Sequence, residues 1–210
     1  MLLLLSQGQY EVFVFLIVAI IISLSFHEFG HAYAAKTQGD MTAANAGRLT
    51  VNPWAHIDPF GLLMVVIVGF GYAKPVPTDP RNFKSGYSTL YVAAAGPFMN
   101  LVLAAVAVNL LFYLRANADV GAGPLYFLEL LAIINMLLMF FNLLPIGPLD
   151  GHYILPYFLP KRMAYLYSVY NERYGTFILL GLIALALLGV PIFSYLMQFG
   201  LSLLSYLVIF

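Results

Sequence analysis

Four stretches of the 210-residue chain carry very little charge over lengths that match a lipid bilayer. A helix needs about 20 mostly apolar residues to cross the hydrocarbon core. Tyr10–Ala35, Tyr87–Leu114 and Pro124–Ile146 meet that requirement. Gly175–Phe210 would measure roughly 54 Å as one helix, too long for one crossing. Gly189, Val190 and Pro191 interrupt it, so it reads as a hairpin of two short spans. Composition agrees, with 62% hydrophobic and 9% charged residues, where soluble domains carry about a quarter charged. The expected fold is an all-α polytopic membrane protein of about five transmembrane helices, with 1–210 as a single membrane-embedded domain. Met1–Tyr10 holds no Lys or Arg, so the first run is expected to be a span rather than a cleaved export signal.

One apolar run is too short to cross. Leu62–Ala73 is rich in Val and Ile and bounded by Gly61 and by Lys74-Pro75. At that length it is expected to be a small membrane-associated β-segment on the cytoplasmic side. Charge placement supports this arrangement. With five spans, Lys36, Arg48, Lys74, Arg81, Lys84, Lys161, Arg162 and Arg173 share one side, and Arg115 alone lies opposite. The positive-inside rule then makes 36–86 and 147–174 cytoplasmic, with the N-terminus outside and the C-terminus inside.

Balanced charge, nine acidic against nine basic residues, excludes a polybasic nucleic-acid binder. Zero cysteines exclude disulfides, thiol catalysis and cysteine-ligated metal. The chemistry must lie elsewhere, and His27-Glu28-Phe29-Gly30-His31 is the sharpest signal. On a helix, positions four apart share one face, so both imidazoles can reach one ion. Glu28, one step round, can touch a water on that ion without being a ligand. Zinc suits two His nitrogens and a carboxylate with one position open. Three ionisable groups in five residues of a span are costly unless used.

A third ligand is required, and Asp58, Glu129, Asp150, His56 and His152 are the candidates. By helical rise, His31 and His27 lie about 8 and 14 Å from Lys36 at the cytoplasmic end of the first span. Glu129 belongs near the outer end of the third span, whereas Asp150 follows that span on the cytoplasmic side. Its context, Asn142-Leu-Leu-Pro145-Ile-Gly147-Pro148-Leu-Asp150-Gly151, must break a helix. Broken backbone at membrane depth is tolerated where it lines a protein cavity. His56 and Asp58 fit local loop hydrogen bonds better than a metal.

These motifs resemble the site-2 protease family of intramembrane zinc metalloproteases. HEFGH and the Asn142–Gly151 segment are similar to its two signatures. Asn52–Gly61, Gly71–Pro77 and Ala95-Gly96-Pro97-Phe-Met-Asn100 resemble segments of its compact members, without PDZ-like or CBS-like additions. The resemblance implies one zinc ion per chain, held by His27, His31 and Asp150, with Glu28 as general base. Asn142 would polarise the scissile carbonyl or stabilise its oxyanion, and Asn100 would line the same cavity. The first three spans would form the three-helix catalytic core. The implied partner is a transmembrane protein substrate within the bilayer, cleaved in or near its membrane segment.

A helical substrate has its carbonyls already hydrogen-bonded. The strand-like Met64–Pro77 segment is therefore expected to hold the substrate extended by edge pairing, with Met64, Val66, Val68, Lys74 and Pro75 as contacts. Two other classes compete. A metal-ion transporter would want ligands stepping across the membrane, and a catalytically silent scaffold would have no use for Glu28.

Overall fold

The computed structural model describes residues 1–209, which are helical or irregular, with no strand among them. A short α1 (Leu2–Ser6) leads into α2 (Tyr10–Thr37). The connection to the next long helix carries α3 (Thr42–Asn45), α4 (Pro53–His56) and α5 (Pro59–Val68). Then come α6 (Ser88–Asn117), α7 (Ala122–Asn142), α8 (Asp150–Ile154), α9 (Lys161–Leu187) and α10 (Ile192–Leu204).

Helices α2, α6 and α7 are long and apolar enough to cross a membrane, and they pack on one another as the central bundle. Lipid tails are as apolar as leucine, so membrane helices associate through close packing rather than hydrophobic exclusion. Small residues make that approach possible here. Ala19 of α2, Ala104 and Ala107 of α6 and Ala132 of α7 are buried at the contacts. A Cβ on Gly30 would lie 2.7 Å from the Ala95 carbonyl oxygen, so α2 and α6 touch nearly backbone to backbone there.

The expected count of five spans is not met. Three helices qualify, and α9 with α10 adds at most one broken span. These two helices meet at 89° across the break at 188–191, where Gly189 has φ 95°. They do not form the expected antiparallel hairpin. The thirteen residues of α10 reach only about 20 Å, short of a full crossing. The apolar run also begins inside a helix that starts at Lys161 rather than at Gly175. That removes the basis for returning the C-terminus to the cytoplasmic side.

The β-segment is also corrected. Leu62–Val68 lies in α5, and the chain from Gly69 to Asp79 is irregular and unpaired with any strand. Local signals outweigh the β-propensity of Val and Ile. The Asp58 side chain accepts from the Gly61 N–H as N-cap, Pro59 takes the first helical position, and Gly69 closes the helix at φ 88°. Met64, Val66 and Val68 are therefore helical residues, while Lys74 and Pro75 lie on the irregular segment beyond.

Asp40, fully buried at the turn after α2, folds this connection back on itself. One oxygen accepts from the Thr42 N–H at 3.0 Å and the Asn82 amide at 3.1 Å, and the other from the Asp79 N–H at 2.7 Å. Nearby, the Lys84 N–H donates to the Gln38 carbonyl at 2.9 Å and the Ser88 hydroxyl to the Gln38 side chain at 2.9 Å. The segment 41–83 is thus a closed loop, with both ends tied to the end of α2. Burial alone would raise the Asp40 pKa, but these hydrogen bonds outweigh it and lower it to about 2. A carboxylate held below its ordinary value stabilises the fold above about pH 4, and that contribution fades as pH falls toward about 2. Asp40→Ala should cost about 2 kcal/mol through lost hydrogen bonds. Thermal unfolding in micelles should show the difference from the parent at neutral pH and its shrinkage on acidification.

Candidate metal centre

The carboxylate and the two imidazoles converge. Ligand atoms of His27, His31 and Asp150 all lie within 4.8 Å of one another. His27 Nε2 is 3.2 Å from Asp150 Oδ2, His31 Nε2 is 3.4 Å from Oδ1, and the two Nε2 atoms are 3.0 Å apart. His27 and His31 are one turn apart on α2, about 15 and 9 Å from its end at Thr37. Asp150 opens α8, after the chain has left α7 at Asn142 and turned through Pro145, Gly147 and Pro148.

Hydrogen bonds on the far side of each ring decide what faces the centre. The Asn100 amide donates to the Ser23 carbonyl at 3.3 Å and to Asn135 Oδ1 at 2.8 Å. A carbonyl only accepts, so the Asn100 NH2 must face Ser23 and its Oδ1 must face His27, 2.7 Å from Nδ1. Asn135 is oriented in turn, donating to the Leu131 carbonyl and the Ser23 hydroxyl at 2.8 and 2.9 Å. His31 Nδ1 donates to the Val92 carbonyl at 2.7 Å. Both rings therefore carry a proton on Nδ1, which leaves each Nε2, the atom that faces the centre, free to offer its lone pair to an ion there.

Two lone pairs and a carboxylate facing one another at these distances repel unless a cation lies among them. Asp150 Oδ2 is buried and accepts no ordinary hydrogen bond. Two imidazole nitrogens and one carboxylate oxygen form a donor set that zinc takes with a fourth position open. The residues fit the metal.

Two glycines make room for the centre. A Cβ on Gly96 of α6 would lie 2.4 Å from His31 Nε2 and 2.7 Å from His27 Cε1, so both rings rest on bare backbone. A Cβ on Gly151 would meet the Leu143 carbonyl oxygen at 2.3 Å, so only glycine lets the turn double back and bring Asp150 inward.

Glu28, also buried, faces the connection between α2 and α6, where its Oε2 accepts from the Val76 N–H at 3.1 Å. Arg48 and His56, both buried, hold the neighbouring backbone. The Arg48 guanidinium donates to the carbonyls of Lys74 and Pro75, and the Lys74 N–H donates to the His56 carbonyl at 2.8 Å. His56 Nε2 donates to the Thr50 carbonyl at 2.7 Å, leaving Nδ1 toward Arg48. Burial, and after it the Arg48 charge, press the His56 pKa below its ordinary value against that Thr50 bond, so the ring stays neutral.

Of the residues singled out by sequence, His27, His31 and Asp150 meet, and Glu28 adjoins them on α2. Asn100 is fully buried, its side chain holding His27 from behind and its amide committed to Ser23 and Asn135. The Asn142 amide donates to the Leu138 carbonyl of its own helix at 2.9 Å. His56 and Asp58 shape the connection, as their surroundings indicated. Asn135 was missed, although a lone Asn inside an apolar span is itself a signal. The clamp by Arg48 had no local signature, because its partners lie 26 and 27 positions away.

The family model described as peptidase family M50 matches residues 15–118 and 114–188. The chain is 40% identical over 152 residues to "Putative zinc metalloprotease YwhC" of Bacillus subtilis, covering 70% of this chain and 69% of that protein. It is 34% identical over 160 residues to "Putative zinc metalloprotease Rip2" of Mycobacterium tuberculosis, covering 71% of this chain and 60% of that one. To "Zinc metalloprotease MJ0392" of Methanocaldococcus jannaschii it is 28% identical over 153 residues, 37% of that protein's length. No solved structure matches. With a convergent His27–His31–Asp150 group and a family match over most of its length, the chain belongs to peptidase family M50, the site-2 protease family of zinc metallopeptidases.

Proposed function

We propose that the chain is an intramembrane zinc endopeptidase that hydrolyses peptide bonds within or near the transmembrane segments of membrane proteins, as in regulated intramembrane proteolysis. The observation that carries this reading is the convergence of two imidazole lone pairs and a buried carboxylate inside an apolar helical bundle. In this reading the protein is a multi-pass protein of the cell membrane with its N-terminus outside. The 38–87 connection and the turn before Asp150 face the cytoplasm.

His27, His31 and Asp150 are the zinc ligands, and Asn100, Asn135 and Ser23 lock His27 in its tautomer from behind. When bound, zinc supplies Lewis acidity, bringing a water in its open position toward a pKa of about 7 and polarising the scissile carbonyl. Glu28 is the general base. Its Oε2 is held by Val76, and its Oε1 takes the proton from the attacking water and hands it to the leaving amine. Asn142 supplies the oxyanion with a donor once its amide swings away from Leu138.

The irregular Gly71–Thr78 stretch takes over the substrate role expected of a strand. Lys74–Val76 runs directly beside the base, fixed by Arg48, His56 and Glu28. A substrate peptide laid along it is drawn out of its helix next to Glu28. Met64, Val66 and Val68 lie on α5 and drop out as strand contacts, which leaves Lys74 and Pro75 on the substrate-facing stretch.

A transporter would spread its ligands across the bilayer, whereas these three share one depth. Glu28→Gln should keep one zinc per chain and lower cleavage of a reconstituted membrane substrate by at least about 100-fold. Retention of activity would refute the endopeptidase reading. Asp150→Ala should lose the zinc itself, as metal analysis of the purified protein would show. Gly96→Ala adds one methyl against both rings and should weaken zinc binding by about 10–100-fold with the fold intact. Chelator competition alongside circular dichroism would measure both effects.

A further inference from the structure

The turn that delivers Asp150 is held from outside by α9. Asn171 of α9 is buried, and its side-chain amide touches the turn on both sides of the carboxylate. Its Oδ1 accepts from the Gly147 N–H at 3.0 Å, and its Nδ2 donates to His152 Nδ1 at 2.7 Å. The orientation is fixed, because a backbone N–H only donates and must therefore meet the oxygen. One turn earlier, the Tyr167 hydroxyl donates to the Pro145 carbonyl at 2.9 Å and accepts from Asn171 Nδ2 at 2.8 Å. One turn later, a Cβ on Gly175 would lie 2.9 Å from the Gly147 nitrogen, so α9 presses bare backbone against the turn. Tyr167, Asn171 and Gly175 are spaced by four and share one face of the helix.

This face bonds to nothing at the metal centre, yet it grips residues 145, 147 and 152 around residue 150. Among the described residues, the Asp150 side chain itself pairs with the two imidazoles, so its position follows that of the turn that carries it. We propose that Asn171 is the positioning residue for the third zinc ligand, so that α9 sets the affinity of a centre whose other two ligands belong to α2. The inference rests on the metallopeptidase reading and extends it to a helix outside the three-helix core. Partners that orient ligands in this way typically carry about 10–100-fold in metal affinity.

The test uses the full chain in detergent micelles. Zinc affinity is measured by competition with a chromophoric chelator, and the visible bands of the cobalt-loaded protein report ligand geometry. Asn171→Leu should bind zinc about 10–100-fold more weakly and change the cobalt spectrum. Asn109→Leu is the control for a merely structural role. It cuts another inter-helix clamp, the bonds of Asn109 to the Leu207 carbonyl and the Ile209 N–H, and should leave zinc affinity unchanged. If Asn171→Leu does not fold, Asn171→Asp carries the test. It keeps an acceptor for Gly147 and loses the donor to His152, so its affinity should fall several-fold. Parent-like affinity and an unchanged cobalt spectrum in the folded variant would overturn the positioning role alone. Absence of Asp150-dependent zinc binding in the parent would overturn the metallopeptidase reading as well.

Discussion

Two imidazole lone pairs and a carboxylate aimed at one point inside an apolar bundle make an arrangement that is unfavourable without a cation. Most of the remaining architecture reads as what holds that arrangement in place. α2 supplies both rings, and α6 supplies their hydrogen-bond partners and, at Gly96, the space they occupy. α7 supplies Asn135, which orients Asn100 and through it His27. The polar chain Asn135–Asn100–His27 crosses all three core helices, with the Ser23 hydroxyl and carbonyl closing it. Its members are buried and satisfied, which is the condition under which such networks rigidify a membrane core.

The peptidase chemistry was legible in the sequence because it follows from local spacing. His27 and His31 stand one helical turn apart, and the prolines and glycines around Asp150 mark the break that turns it inward. Depth and the broken backbone made Asp150 a candidate beside the histidine pair, and the family resemblance implied it as the third ligand. What escaped the sequence was whatever depends on distant partners. Asn135 meets Ser23 across 112 positions, and Arg48 reaches Lys74 across 26. No periodicity announces such pairings.

The two fold-level corrections have different origins. The run of Val and Ile at 65–68 weighed toward a strand, yet Asp58-Pro59 and Gly69 are helix start and stop signals, and the capping chemistry prevailed. At the other end, Gly189-Val190-Pro191 did mark a break in the apolar run. A break fixes where a helix ends but not the angle at which the next one leaves. Here the angle is near a right angle rather than a reversal.

The closed connection between α2 and α6 gives the irregular stretch beside Glu28 a mechanical character. Its ends are moored at Asp40 and Gln38 and its middle at Arg48 and His56, so it behaves like a taut string of set length rather than a floppy tether. In the proposed endopeptidase, a string moored so close to Glu28 would have little slack for different side chains, and the choice among substrates would pass to how readily each one unwinds. Selectivity would then be a property of the incoming helix more than of any pocket, and a helix weakened by glycine or proline at the level of the metal centre would be taken first.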